Sequence, residues 1–293
     1  MLARLPYAAP IVANMFKTWP DLAGGLTVAM PVGVDTPGNW VEFVSAANAP
    51  ATPFTVMVYR TSSGSLMRIE VGTGALGAEA VVASGSMPDD NFAVASAGAF
   101  PVHPTPIIPG GTRVVLRARG GGASTSANFR LVTILLPGRP SLEAILRGTP
   151  KLGSFYPGNP GWAQQSNNVV AGAAAWGLSA SWTEIYGTVW NPSVETARCL
   201  ITAIGFSGQN AAQEGQLNLA IGAAGAESQF AALPVGSSSD ATAVSYFVLP
   251  FPLIWPGIND TPSGRISGKA AYSGGAANVY YPHFTCIKAG YYP

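Results

Sequence analysis

The sequence predicts an all-β protein: two tandem antiparallel β-sandwich domains, jelly-roll-like, from an internal duplication, with an extended N-terminal arm. Three observations carry this prediction. Apolar residues alternate with a period of two rather than 3.6. Clusters of Gly, Pro, Ser and Asn interrupt the apolar runs every 8–15 residues, which is the spacing of sandwich strands. The second half of the chain also repeats the first.

The elements follow from the pattern. Residues 1–30 match nothing in the repeat and read as the arm. The first sandwich spans 31–136. Its strands are predicted at Trp40–Val44, Phe54–Tyr59, Leu66–Val71, Arg113–Arg119 and Asn128–Ile134. Turns fall at Ser62-Ser63-Gly64-Ser65, Pro109-Gly110-Gly111 and Gly120-Gly121-Gly122. Residues 137–174 read as a linker. Its short helix, Ser141 to Arg147, is opened by Pro140 and stopped by Gly148. The second sandwich spans 175–293, with strands at Thr183–Tyr186, Cys199–Ile204, Gln216–Ile221 and Tyr280–Ile287.

The repeat is collinear. Gly38-Asn39-Trp40-Val41-Glu42-Phe43 matches Ala180-Ser181-Trp182-Thr183-Glu184-Ile185 at an offset of 142 residues. Gly74-Ala75-Leu76-Gly77-Ala78-Glu79 matches Gly222-Ala223-Ala224-Gly225-Ala226-Glu227 at 148, and Phe100-Pro101 matches Phe251-Pro252. Arg113 to Ala118 matches Arg265 to Ala270 at 152, and Thr133 matches Thr285 at the same offset. Four matches in one order, with a slowly drifting offset, point to duplication.

Composition excludes several classes of function. The 293 residues carry 15 Lys and Arg against 14 Asp and Glu, a net charge of +1. Charged residues are 10% of the chain, against about 25% in an average domain. Such a chain has no electrostatic footprint for nucleic acid. Hydrophobic residues reach 48%, so a core can form and charge-driven disorder is excluded. No apolar run reaches about 18 residues, so no membrane span is expected. Pro6 and Pro10 break the apolar start, so no secretory leader is expected either.

Residues able to carry chemistry are few. His103 and His283 each neighbour a proline, occupy unmatched positions and lack companion metal ligands. Cys199 and Cys286 lie in predicted strands and read as buried thiols, with a disulfide as the alternative. Gly72, Gly74 and Gly77 suggest a nucleotide loop, but they lack the strand-loop-helix context it needs; a tight turn is the simpler reading. The recurring carboxylates Glu42, Glu184, Glu79 and Glu227 suggest a glycosidase pair. In so charge-poor a chain, a partly buried ion pair with Arg113 and Arg265 explains them better. Asp89-Asp90-Asn91 is the best loop for calcium. No cofactor and no catalytic residue are expected. Trp40 and Trp182 match and are assigned to the two cores. The unmatched Trp162, Trp176, Trp190 and Trp255, with Tyr291 and Tyr292, are candidate interface aromatics; sugar stacking and core packing are the alternatives.

This order of motifs resembles the β-sandwich virion proteins of tailed bacteriophages, over residues 31–136 and 175–288. Those motifs are Trp-x-Glu, a Gly-x-x-Gly-Ala-Glu turn, Phe-Pro, and Arg followed by Val or Ile and, at the end, Arg or Lys and then Ala. The second copy departs most, with Gly268-Lys269 where the first has Leu116-Arg117. The resemblance implies a homo-oligomeric building block of a tail, fibre or head decoration. Its partners would be copies of itself and other virion proteins, assembled in the host cytoplasm. A carbohydrate-binding or receptor-binding module, with a cell-surface glycan as ligand, is the alternative expectation.

Overall fold

The computed structural model describes residues 9–61, 67–87, 105–121, 125–136, 151–156, 168–186, 198–209, 214–236, 244–255, 266–274 and 279–290. All regular structure in them is β. The predicted linker helix lies outside the described residues, as do the loop Asp89–Asn91 and the Phe100-Pro101 pair.

The strands of the first half are β1 (Ala9–Pro10), β2 (Phe16–Trp19), β3 (Leu26–Met30), β4 (Val34–Pro37), β5 (Val41–Val44), β6 (Phe54–Arg60), β7 (Met67–Thr73), β8 (Ala80–Met87), β9 (Val114–Gly121) and β10 (Thr125–Leu135). Those of the second are β11 (Lys151–Tyr156), β12 (Val169–Val170), β13 (Thr183–Tyr186), β14 (Arg198–Gln209), β15 (Glu214–Ile221), β16 (Ser228–Gly236), β17 (Val244–Trp255), β18 (Ile266–Tyr272) and β19 (Val279–Gly290).

The duplication holds at the level of register. In the first repeat Val41 pairs with Leu116, Glu42 with Val115 and Val44 with Val114, with a one-residue bulge before the last pair. In the second, Thr183 pairs with Gly268, Glu184 with Ser267 and Tyr186 with Ile266, with the same bulge. The pairing of β7 with β8 slips between Val71 and Gly72, and that of β15 with β16 slips between the matching Leu219 and Ala220. Bulges are specific features of a fold, so shared bulges are a stronger sign of duplication than shared residue types. On the inner sheet, Met57 opposite Val132 matches Ile204 opposite Phe284.

The repeat also begins earlier than the matching motifs suggest. Strands β2 and β3 lie one after the other along one flank of β10, and β11 and β12 lie the same way along β19. Thr27 faces Asn128 while Val169 faces Tyr280, so this stretch keeps the 142-residue offset of the Trp-x-Glu motif. The N-terminal segment is extended against the body and supplies equivalent strands to the first sandwich. Its residue types differ from those of β11 and β12 because backbone pairing does not specify side chains.

The two sandwiches share a sheet. Eight strands run in the order β13-β18-β15-β16-β2-β10-β3, with β6 also on β10. The seam is a parallel contact between β2 and β16, at Phe16 and Ala231. Two hydrogen bonds flank it: the Asn14 N–H donates to Gln229 O (2.9 Å) and the Thr18 hydroxyl to Ala232 O (2.6 Å). Upstream, β1 pairs in parallel with β17 of the second repeat. The five-stranded sheet β4-β9-β7-β8, with β5 on β9, closes the first sandwich. The six-stranded sheet β1-β17-β14-β19-β11, with β12 on β19, belongs to the second.

This arrangement explains why β6 is buried along six consecutive residues rather than alternating. Phe54, Val56 and Val58, with Phe129 and Leu131, enter the first core beside Trp19, Val28, Val71 and Leu116. Met57 and Tyr59, with Val132 and Ile134, turn the other way. They join Leu217, Leu219, Phe230, Leu233, Ile266 and Tyr280 in the second core. One sheet is therefore packed on both faces, and its strands read as continuous apolar runs.

The repeated motif and the junction as candidate functional site

The repeated turn is built identically in both halves. Gly74 and Gly222 take φ of +125° and +138°, and Gly77 and Gly225 both take +82°. A Cβ at either first glycine would sit under 3 Å from a carbonyl oxygen of the turn, so glycine is required there. The turn closes by Ala78 N–H to Ala75 O, and by Ala226 N–H to Ala223 O, both 3.0 Å. The glutamate then caps it from outside: the Gly77 N–H donates to Glu79 (3.0 Å) and the Gly225 N–H to Glu227 (2.9 Å).

In the first repeat Glu79 has a second task. Arg113 donates to Glu79 Oε1 at 2.9 Å, to Gly74 O at 3.2 Å and, through Nε, to Glu42. The structure thus brings together Glu42, Gly77, Glu79 and Arg113, four of the repeated residues. The hydrogen bond from Arg113 holds the Glu79 carboxyl below the usual carboxylate range. A glycosidase acid needs the opposite shift; a carboxylate held ionised by an arginine is an ion-pair acceptor. Of the matching residues, Glu184 is exposed on β13, Glu227 caps its turn, and Arg265 lies outside the described residues.

The tryptophans of the motif carry cations. The Arg117 guanidinium lies 4.2 Å from the Trp40 ring centroid, and the Lys269 ammonium lies 5.3 Å from that of Trp182. Both rings are half-buried on the outer sheet rather than inside the cores that their matching positions in the sequence predict. Gly72 makes room for Trp40, since a Cβ there would come within 2.7 Å of the ring. The same face holds the carboxylate Glu70, side chain 3% exposed, which accepts from Arg117 (2.7 Å) and Arg119 (2.5 Å). Burial alone would raise the Glu70 pKa, but the hydrogen bonds from Arg119 and Arg117 take it below the ordinary value. Asp35 adds looser contacts to Arg119 and Arg68 at 3.5 and 3.6 Å.

In the second repeat the equivalents of Arg68, Glu70 and Arg119 are Gln216, Asn218 and Ala271. There the face is covered by the first repeat, and the network is rebuilt around one buried cation. Arg130, fully buried on β10, donates to Gly215 O (2.7 Å), Gln216 Oε1 (2.5 Å) and Pro20 O (3.2 Å). Its guanidinium lies 5.1 Å from the Trp176 ring centroid. Burial lowers its pKa to about 10, opposed by the Glu214 and Asp21 carboxylates; it remains a cation at neutral pH. The Gln216 amide donates to Asp21 (2.8 Å) and Asn218 (2.9 Å), and Gly25 N–H donates to Glu214 (3.2 Å). Alternation of Asn128, Phe129, Arg130 and Leu131 marks Arg130 as outward-facing. Outward from the first sandwich is inward to the junction, and no local signal shows that.

Of the candidate interface aromatics, Trp176 lies at this junction, in the left-handed region (φ +58°), with its N–H donating to Tyr272 O. Trp255 pairs with Cys199 on β14. Trp162, Trp190, Tyr291 and Tyr292 lie outside the described residues, as does His103. His283 is a β19 residue opposite Gly205. Cys199 faces Lys288 and Cys286 faces Ile201, so the two cysteines are two residues out of register on neighbouring strands. Among the described residues, no group of three or more His, Cys, Asp or Glu could hold a metal. No described helix is long and apolar enough to cross a membrane.

No family model and no curated protein matches this chain. Several solved structures align over most of it. The N-terminal CBM22-1-CBM22-2 tandem domain from Paenibacillus barcinonensis Xyn10C is 10% identical, covering 97% of this chain and 98% of its own, with a TM-score of 0.25. The PBSX exported protein XepA is 7% identical, covering 94% and 88%, with a TM-score of 0.25. The VP2 subviral particle of infectious bursal disease virus is 11% identical, covering 99% and 76%, with a TM-score of 0.21. Similarity this slight carries no conclusion about function.

Two outcomes are expected. Arg130→Ala removes the three hydrogen bonds to Gly215 O, Gln216 Oε1 and Pro20 O at the junction of the two halves and should lower unfolding stability by about 3 kcal/mol in a urea titration. Arg130→Lys should restore little, because one ammonium cannot span the fork that reaches Pro20, Gly215 and Gln216. The second outcome concerns acid. Glu70 and Glu79 have folded pKa values below their unfolded ones, so their contribution is complete above the unfolded range. It is lost as pH falls through the folded values. The urea midpoint should therefore drop on the acid side, below about pH 4, and Glu70→Gln should make that drop shallower while weakening the protein at neutral pH.

Proposed function

We propose that this chain is a structural protein, a homo-oligomeric building block of a tailed-phage virion, of the tail, fibre or head-decoration kind. The single observation that carries the reading is the shared eight-stranded sheet. It fuses two sandwiches into one body through a sheet packed on both faces, and such a body suits a load-bearing subunit better than a flexible tandem binder. The scarcity of charge and the motif order support the same reading. The charged groups of the repeated motif also fit it. Their carboxylates are committed to arginines or turn amides, and they do structural work.

The carbohydrate-binding alternative needs aromatic faces presented to solvent. Trp19, Trp40, Trp176 and Trp182 each have a Lys or Arg of the same chain over the ring, which leaves these four faces poorly suited to a sugar. A building block should have a fixed multiple of the 30.1 kDa chain mass by light scattering across a range of concentrations. A monomer at every concentration contradicts the reading.

A further inference from the structure

The contact between the repeats is heterologous: an inner-sheet edge of the first, β2, meets an outer-sheet edge of the second, β16. Each edge has an equivalent in the other repeat. The equivalent of β2 is β11, which lies at the end of its sheet beyond β19, and the equivalent of β16 is β8, at the end of its sheet beyond β7. Among the described residues these two edges pair neither with each other nor with a further strand. The chain therefore carries at each end one half of a contact whose other half it has already used internally.

We infer that copies associate head to tail, with β11 of one chain pairing in parallel with β8 of the next, in the geometry of the internal junction. This rests on the building-block reading and names its interface. The register supports it. Phe16, opposite Ile134 on β10, is seated against Ala231. The residue opposite Cys286 at the equivalent place on β19 is Tyr156, again aromatic. The equivalent of Ala231 on β8 is Ala83, again alanine, since Val71 faces Ala83 as Leu219 faces Ala231.

Burial differs as an unused edge requires. Phe230, Ala231, Ala232 and Leu233 are buried on β16, whereas β8 has Val81 46% exposed and Ser84 exposed. An uncovered strand edge is a template for another strand. A head-to-tail contact that does not close within one chain continues into a ring or a filament.

Ser84→Lys places a charge on the exposed edge at the position matching buried Ala232, outside both cores and opposite Glu70 on the neighbouring strand. Light scattering should show the wild-type oligomer reduced to monomer, with an unchanged far-ultraviolet circular dichroism spectrum and a melting temperature that no longer rises with protein concentration. Tyr156→Lys should do the same from the other edge. Mixing the two variants should give a two-chain complex, because each retains the edge the other lacks. An oligomer that survives Ser84→Lys would overturn this pairing and leave the building-block reading standing. A monomeric wild type would overturn both.

Discussion

A buried guanidinium is costly unless it is hydrogen-bonded, and Arg130 bonds its two terminal nitrogens to atoms from both halves of the chain, while its buried Nε has no hydrogen-bond partner among the described residues. Pro20 O lies in the first repeat; Gly215 O and the Gln216 amide oxygen lie in the second. Neither repeat alone satisfies the side chain, and neither alone covers it. The desolvation of a charged group outweighs any single hydrogen bond, so the charge is tolerable only when the halves are docked. Strand β2 is subject to the same constraint, since it hydrogen-bonds to β10 on one flank and meets β16 on the other. The protein is accordingly one body with two cores, in which Met57, Tyr59, Val132 and Ile134 complete the core of the second repeat.

The duplicated sequence has kept the backbone and changed the faces. The glycine turns, the bulges and the cation over the motif tryptophan persist in both copies. The outer sheet face has diverged according to what lies on it. Arg68, Glu70 and Arg119 form an ion-pair network where the face is uncovered by the chain itself. Gln216, Asn218 and Ala271 replace them where the first repeat docks. Amides accept and donate without bringing a second charge into the site, which suits a face that must receive Arg130.

These differences also explain what could be read from the sequence alone. The strands containing Trp-x-Glu, the Gly-Ala-Glu turn and the Arg-Val-Val-Leu run were legible because alternation and turn chemistry are local. The ion pair of Glu42 and Glu79 with Arg113 was legible because so few charges recur together. Strands β2 and β3 were not, because their equivalents β11 and β12 share a hydrogen-bonding position but not residue types. Arg130 was not, because its acceptors Gly215 and Gln216 lie 85 and 86 residues away. The chain's early strands and its buried cation are properties of the docked pair, and a pattern search within either repeat cannot reach them.

The central claim is that the repeats are thermodynamically one unit, and scanning calorimetry of the intact chain tests it most directly. Shared burial of β6, β10 and Arg130 predicts a single transition whose calorimetric enthalpy equals its van't Hoff enthalpy. Two resolved transitions, one for each sandwich, would contradict it and reduce the junction to a contact between independently folded domains.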